Sequence, residues 1–329
     1  MTTLREAIVN GFTGKRIAII GDLVADQFLG GTISRVSREA PVFILRHDET
    51  VTLPGAAANA AANVASLGGT PIPIGVVGSD DNGTRLTDAL TRSGVDCSTI
   101  LTDRAATTTT KVRVLAGQHY AARQQVIRID YEGGPELSLE TRKKLSLSLA
   151  AVADTLDAII VSDYGYGAVF DEIFAEARSI AQLRSIPLVL DSRYRLSSFV
   201  GATAATPNCE EAENIVGKNF NDNNGASLRE RLGCEALLVT NGNKGMSLYT
   251  SDAEPRHIDA VGSPEPVDVT GAGDTVIATF ALGLASGMNF ADAATIANHA
   301  GGIVVMKKRT ATVTSAELLT SLDAAVAAH

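Results

Sequence analysis

The sequence predicts an α/β protein built on a doubly wound, mostly parallel sheet flanked by helices, with a small β lid. Three observations carry that class. Short apolar runs closing on Asp, Gly or Ser alternate with segments of helical length, as they do where helices join parallel strands. The stretch Val267–Gly287 opens as a polar, glycine-punctuated turn and then becomes apolar on nearly every helical face, so its helix belongs in the middle of a protein. Residues 32–50 and 107–132 break the pattern with alternation and charges of both signs, which suits the exposed strands of a separate small sheet. The whole chain, 1–329, then forms one domain that carries the lid as two insertions.

Composition narrows the function. The chain is 45% hydrophobic but only 5% aromatic, with no Trp, which makes a core of Ala, Val, Ile and Leu. A net charge of −9 speaks against a nucleic-acid partner, which would want a basic face. Cys97, Cys209 and Cys234 form neither a C-x-x-C pair nor an even set, so a reducing compartment is expected and a disulfide scaffold is not. The first residues include Glu6 and no long apolar run, unlike a signal peptide. No window reaches the ~18 uncharged apolar residues of a membrane span. A soluble, cytoplasmic chain with no membrane partner is the expectation. His47, His119, His257, His299 and His329 are isolated in sequence and are expected not to bind metal.

The elements follow in order. Arg16–Asp22 is a continuous apolar run ending in Gly-Asp, a buried parallel strand with Asp22 at its carboxyl end. Ligands bind there in open α/β sheets, although an ordinary turn residue would look the same. Leu53–Asn59 leads into an alanine-rich helix that ends at Gly68-Gly69. Gly55 permits a tight turn before it, and Asn59 is polar on an apolar surface, either as a ligand or as a satisfied buried amide. Pro71–Gly78 reads as a strand, Asn82–Ser93 as a helix and Leu137–Leu156 as a long helix. Ala158–Ser162 and Ile186–Leu190 are strands that close on Asp163-Tyr164-Gly165 and Asp191-Ser192-Arg193. Asn208 and Glu211, at i and i+3 where a strand passes into a helix, form a capping box. Leu237–Gly242 is a buried strand followed by a polar turn. Neither G-x-G-x-x-G, G-x-x-x-x-G-K-[ST] nor H-E-x-x-H occurs, so a dinucleotide fold, a Walker loop and a zinc protease have no support.

The chemistry centres on Asp268-Val269-Thr270-Gly271-Ala272-Gly273-Asp274. A buried helix starting there presents unpaired N–H groups and the positive end of its dipole in a partly dry place. Gly271 and Gly273 clear side chains from the approach, which makes an anion site suited to phosphate. Asp274 beside it is either a base for whatever attacks the phosphate or only the cap of the helix.

This heptad resembles the D-T/V-x-G-A-G-D signature of the ribokinase-like (PfkB) sugar kinases. The resemblance implies that Asp274 deprotonates the acceptor hydroxyl and that the amides of Gly271, Ala272 and Gly273 surround the transferring phosphoryl group. Gly55 through Asn59 resembles the family's G-G-x-x-N segment, with Ala56 where the second Gly usually stands. That likeness implies that Asp22, Asp26, Gly55 and Asn59 hold the sugar. Asn208 and Glu211 resemble the N-x-x-E motif, which helps place Mg²⁺ through its waters. Thr240, Gly242 and Gly245 resemble the segment at the nucleotide phosphates, and Asn298 matches a position near the adenine. ATP and Mg²⁺ are thus the implied cofactors, and a monovalent cation is left open. In this family the lid covers the sugar and often joins two copies, which implies a homodimer.

One branch of the family, the D-glycero-D-manno-heptose 7-phosphate kinases, is approached further by Arg35–Val42, by Arg123-Gln124-Gln125 with Arg128-Ile129-Asp130, and by Asp268–Thr279. The basic residues of the lid, Arg35, Arg38, Arg46, Lys111, Arg113, Arg123 and Arg128, suit an anionic substrate or simply protect exposed strand edges. Among them Arg123 is expected to meet the substrate's phosphate. Asp191-Ser192-Arg193 departs from the branch's usual Asp-Pro-Lys, keeping a charge at the phosphates without a lysine's compact geometry. The expected reaction is phosphorylation of the anomeric hydroxyl of heptose 7-phosphate. Another sugar, sugar phosphate or nucleoside remains as acceptor, and a non-catalytic sugar- or nucleotide-binding regulator is the alternative of another class.

Overall fold

The computed structural model describes residues 2–118, 123–133 and 136–327. Its strands, in chain order, are β1 (Arg16–Gly21), β2 (Leu23–Val36), β3 (Phe43–Ala56), β4 (Thr70–Ile74), β5 (Val76–Gly78), β6 (Leu101–Asp103), β7 (Thr110–Gly117), β8 (Gln124–Tyr131), β9 (Ala158–Asp163), β10 (Leu188–Ser192), β11 (Ala204–Ala205), β12 (Ala236–Thr240), β13 (Met246–Thr250) and β14 (Arg256–Ile258). Eight of them form the main sheet in the order β14-β13-β12-β11-β10-β9-β1-β4. From β4 to β12 every pairing is parallel, and β13 and β14 add an antiparallel edge.

Side-chain alternation explains why helices cover both faces. In β1, Ile17 and Ile19 join one core while Ala18 and Ile20 join the other. β9 repeats the division, with Ala158 and Ile160 on the first side and Ile159 and Val161 on the second. A strand apolar on both sides needs a packed layer on each, which gives the doubly wound architecture. The first layer holds the helices Ala57–Ser66, Ala272–Ala285 and Phe290–Val304, and the second holds Leu139–Val152, Asp171–Arg184 and Asp222–Leu232. The helix Ala272–Ala285 is buried continuously from Asp274 to Gly283, as its all-round apolar sequence requires.

Two elements differ from the sequence-based expectation. Pro71–Gly78 is not one strand: β4 lies in the main sheet, and after Gly75 the chain turns so that β5 pairs with β6 in a separate two-stranded sheet. A Cβ at position 75 would stand 2.6 Å from the Gly21 carbonyl oxygen, so this turn packs directly on β1. The lid also starts earlier than residue 32. Its four-stranded sheet, in the order β3-β2-β7-β8, begins at Leu23, straight after β1. Leu23, Val24, Ala25 and Phe28 are buried at its root. Beyond the root the lid projects outward, and β8 is exposed at every position.

Candidate active site

The ends of β9, β10, β11 and β12, the root of the lid and the start of the helix Ala272–Ala285 converge on a cavity of about 400 Å³. Asp26, Lys111 and Arg113 face it from the lid, Asp191, Arg193, Asn208 and Glu211 from the sheet's carboxyl edge, and Gly271 through Asp274 from the helix. A second cleft of about 180 Å³ shares Thr240, Val269, Ala272 and Gly273 with it. This cleft is walled by Gly242, Gly245, Val261, Val276, Asn298 and Val305. One continuous groove thus runs from the lid, past the helix start, to an apolar slot.

Asp274 is not a cap. The helix is capped by Gly271, at φ +78°, with no side-chain bond, and Asp274 sits three residues further in. A side chain at position 271 would meet Asn59 Nδ2 at 2.5 Å, so glycine is required there for space as well as conformation. The Asp274 carboxylate is 3% exposed. Its Oδ1 accepts the Tyr164 hydroxyl at 2.8 Å and its Oδ2 accepts Asn59 Nδ2–H at 3.0 Å. Burial raises its pKa from 3.8 to about 6; the two hydrogen bonds pull against that rise, Asp26 adds to it and Lys111 opposes it. A carboxylate tuned close to neutrality suits general base work. Of the neighbouring amides, Ala272 N–H turns back to the Val269 carbonyl at 3.3 Å. Those of Gly271 and Gly273 have no backbone acceptor among the described residues. Asp268 holds the turn, accepting from the backbone N–H of Thr270 at 3.0 Å and of Arg309 at 2.9 Å.

The sugar-side residues separate into two groups. Asp26 lines the cavity, where its carboxylate accepts the Thr310 hydroxyl at 3.0 Å and stands 3.5 Å from Arg113 Nη2. Burial raises its pKa even against Arg113. Gly55 supports it by closeness, since a Cβ there would come within 2.7 Å of Asp26 Oδ2. Asp22 and Asn59 do not line the cavity. Asp22 is consumed by three backbone donors, Tyr164 at 2.8 Å, Tyr166 at 3.1 Å and Ala168 at 3.0 Å, and so ties β1 to the loop after β9. Asn59, 1% exposed, donates its side-chain N–H to Asp274 and to the Gly271 carbonyl.

Arg123 is also displaced from its expected place. It pairs with Asp48 at 2.6 Å and Glu49 at 3.3 Å on the lid and does not line the cavity. Lys111 and Arg113, two apart on β7, line the cavity on the lid face turned to Asp274. The Lys111 ammonium lies 5.4 Å from the Tyr164 ring centroid and 5.7 Å from that of Tyr166. Burial lowers its pKa while Asp26 works the other way.

On the nucleotide side, Asn208 and Glu211 form the capping box that their spacing requires, with bonds of 2.8 and 2.9 Å. Glu211 Oε2 is used in this way and Oε1 has no hydrogen-bond partner among the described residues. Burial raises the Glu211 pKa. Asp191 opposite is pushed well above the usual carboxylate range by burial and by the charges of Glu211, Asp274 and Asp163, against the pull of Arg193. Asn298 lines the apolar slot, but its amide N–H already reaches the Asp259 carbonyl at 2.7 Å. Tyr164 was missed as a partner of Asp274; the only signal was its place in the Asp-Tyr-Gly triplet that closes β9. Of the isolated histidines, His119 and His329 lie outside the described residues.

Fold and cavity together define the class, a ribokinase-like α/β protein. The chain belongs to the pfkB family of carbohydrate kinases, whose sequence profile matches residues 17–317. A Pelobacter propionicus protein named bifunctional protein HldE is 37% identical over 323 residues, covering 96% of this chain and 65% of the relative. A Geobacter sulfurreducens protein of the same name is 38% identical over 310 residues, covering 92% of this chain and 62% of the relative. This chain thus spans a little under two-thirds of the curated relatives it matches. Among solved structures, phosphofructokinase-2 from Escherichia coli in complex with substrates and products superposes with a TM-score of 0.76 at 16% identity, covering 95% of this chain and 99% of that one. Arabidopsis thaliana ribokinase complexed with ribose and ATP gives 0.68 at 19% identity, over 94% and 99% of the two chains. At such identities these two likenesses speak for the fold alone.

Proposed function

We propose that this chain is an ATP-dependent kinase that phosphorylates the anomeric hydroxyl of D-glycero-β-D-manno-heptose 7-phosphate, giving the 1,7-bisphosphate. The observation that carries the reading is the buried Asp274, with its pKa raised to about 6, beside a glycine-lined helix start and across one cavity from Lys111 and Arg113. Family membership supports the phosphotransfer, and the HldE relatives support the heptose.

In this reading the nucleotide's base enters the apolar slot beside Asn298, and its phosphates run past Thr240 and Gly242 toward Gly273. The sugar lies under the lid against Asp26, with its phosphate met by Lys111 and Arg113. Asp274 takes the proton from the attacking hydroxyl. The amides of Gly271 and Gly273 face the charge that develops on the transferring group, with Ala272 contributing less because its N–H is engaged, and Arg193 approaches from the other wall. Asn208 and Glu211 fit a hydrated Mg²⁺: one oxygen of Glu211 is unspent, and the carboxyl groups of Glu211 and Asp191 repel each other across the site. When bound, the ion supplies charge neutralisation at the phosphates.

The chain is read as a single domain with its lid inserted, working in the cytoplasm. Val126, Ile127, Ile129 and Tyr131 on exposed β8 support pairing of two lids into a homodimer. The decisive experiment follows ATP consumption with heptose 7-phosphate, fructose 6-phosphate, ribose and nucleosides. Preference for the heptose supports the proposal, and preference for another acceptor moves the substrate within the family. Sugar binding without turnover on any of them would make the protein a regulator.

A further inference from the structure

Both oxygens of Asp274 are held, and each holder is itself fixed. Tyr164 donates to Oδ1 at 2.8 Å. Its pKa is pushed well above the ordinary phenol range by burial and by the charges of Asp274 and Asp191, so it remains a donor throughout the working range of the protein. Asn59 donates to Oδ2 at 3.0 Å, and its amide cannot turn over. Its Oδ1 accepts from Asn63 Nδ2 at 3.2 Å, and the same Nδ2 reaches the Asn59 carbonyl at 3.0 Å. Asn63 is fixed in turn by the backbone N–H of Val313, which donates to its Oδ1 at 3.2 Å. A backbone N–H cannot become an acceptor, so the whole chain of donors runs one way, from Val313 through the two amides to the carboxylate. Asn63 is 0% exposed, one helical turn after Asn59, in a stretch otherwise of Ala and Val. Burying an amide there carries a desolvation cost that an apolar side chain would avoid.

We infer that Tyr164 and Asn63 are positioning residues for Asp274: the phenol on one oxygen and the Asn63–Asn59 amide chain on the other fix the plane of the carboxylate and select the lone pairs left for an incoming hydroxyl. An ionised carboxylate offers about four acceptor positions. Two are filled by these donors, which leaves two for an incoming hydroxyl. The other charged groups lining the cavity with Asp274 are Asp26, Lys111 and Arg113 from the lid and Asp191, Arg193 and Glu211 from the sheet's carboxyl edge, and none of them hydrogen-bonds to it among the described residues. The clamp's catalytic consequence rests on the kinase reading; its geometry does not.

Two variants test the two sides. Tyr164→Phe removes one donor with little change of shape. Asn63→Asp keeps the acceptor for Val313 but offers Asn59 no donor, so the Asn59 amide turns over and sets its oxygen against the carboxylate. In each, kcat at neutral pH should fall about tenfold with KM for ATP unchanged, and the acid limb of the rate profile should rise by about one pH unit. The Asp274 ¹³Cγ titration, assigned by its loss in Asp274→Asn, should move by the same amount. Limbs and titrations that coincide with the parent's in folded variants would overturn the clamp. If the parent turns over no acceptor, the kinase reading fails separately, and the ¹³C titration alone decides: a displaced midpoint upholds the clamp and an unmoved one ends it.

Discussion

The Arg113 guanidinium stands 3.5 Å from the Asp26 carboxylate, at the outer limit of a hydrogen bond, although the two side chains are only 14% and 7% exposed. So loose a pair in so dry a place is electrostatically incomplete, and the Arg113 Nε has no partner at all among the described residues. Lys111 beside it forms no ion pair among the described residues. An anion entering here would meet two underused cations. Lys111→Met should therefore raise KM for a phosphosugar by roughly 10–100-fold, the worth of one hydrogen bond to a charged group, with a much smaller effect on an unphosphorylated sugar. Arg123→Ala should change that KM by less than about twofold, because Arg123 already answers Asp48 and Glu49 on the lid. Initial-rate kinetics on both variants check the assignment; a larger effect from Arg123 would reverse it.

Asp274→Asn keeps the side chain's shape and removes its basicity. Its kcat should drop by about 10²–10⁴ while nucleotide affinity, measured by calorimetry, stays within about twofold. The parent's activity should fall as pH drops through about 6, where Asp274 gains its proton. An acid limb near 4 would show that a different group carries the proton.

How far the sequence reaches can be seen around this carboxylate. The sheet was legible because Ile17 and Ile19 face one core and Ala18 and Ile20 the other, which reads as an unbroken apolar run. The capping box at Asn208 was legible because both partners lie within four residues. The holders of Asp274 were not. Tyr164 precedes it by 110 residues and Asn59 by 215, and no local pattern records a meeting across such separations. Lys111 and Arg113 share a strand face by period two, but which face turns inward is decided by packing. Arg123 illustrates the same limit from the other side, since its sequence does not reveal Asp48 and Glu49 on β3, the far strand of the lid sheet.

Stability should carry the signature of the same carboxylate. Its folded-state pKa lies above the ordinary 3.8, so the native chain holds this proton more tightly than the unfolded one. That contribution is complete below 3.8 and is lost as pH rises through about 6, amounting to roughly 3 kcal/mol for so fully buried a group. Roughly half of that loss falls between pH 5 and pH 7.5, so the ligand-free protein should lose about 2–3 °C of Tm across that window, and Asp274→Asn should flatten the slope. Melting curves across that window decide; equal slopes in parent and variant would place the raised pKa elsewhere, for example at Asp26 or Glu211, both raised by burial.

Ala56 offers a test of strain at the same wall. It stands where the G-G-x-x-N segment that this stretch resembles would have its second glycine, and it adopts φ +54°, ψ −131° at the start of the helix Ala57–Ser66. A Cβ is crowded in that region of backbone space, at a cost of order 1–3 kcal/mol. Glycine would relieve the crowding but would also loosen the unfolded chain, an opposing term of about 0.4–1 kcal/mol. The strain is the larger effect, so Ala56→Gly should stabilise the protein by about 1 kcal/mol in urea unfolding. Ala56 also lines the cavity beside Asp26, and loss of its methyl widens the room for the acceptor. The variant should accept bulkier sugars with a lower KM than the parent does. A destabilised Ala56→Gly would mean that the surrounding packing already absorbs the strain, and that the alanine earns its place through contacts rather than through the shape of the cavity.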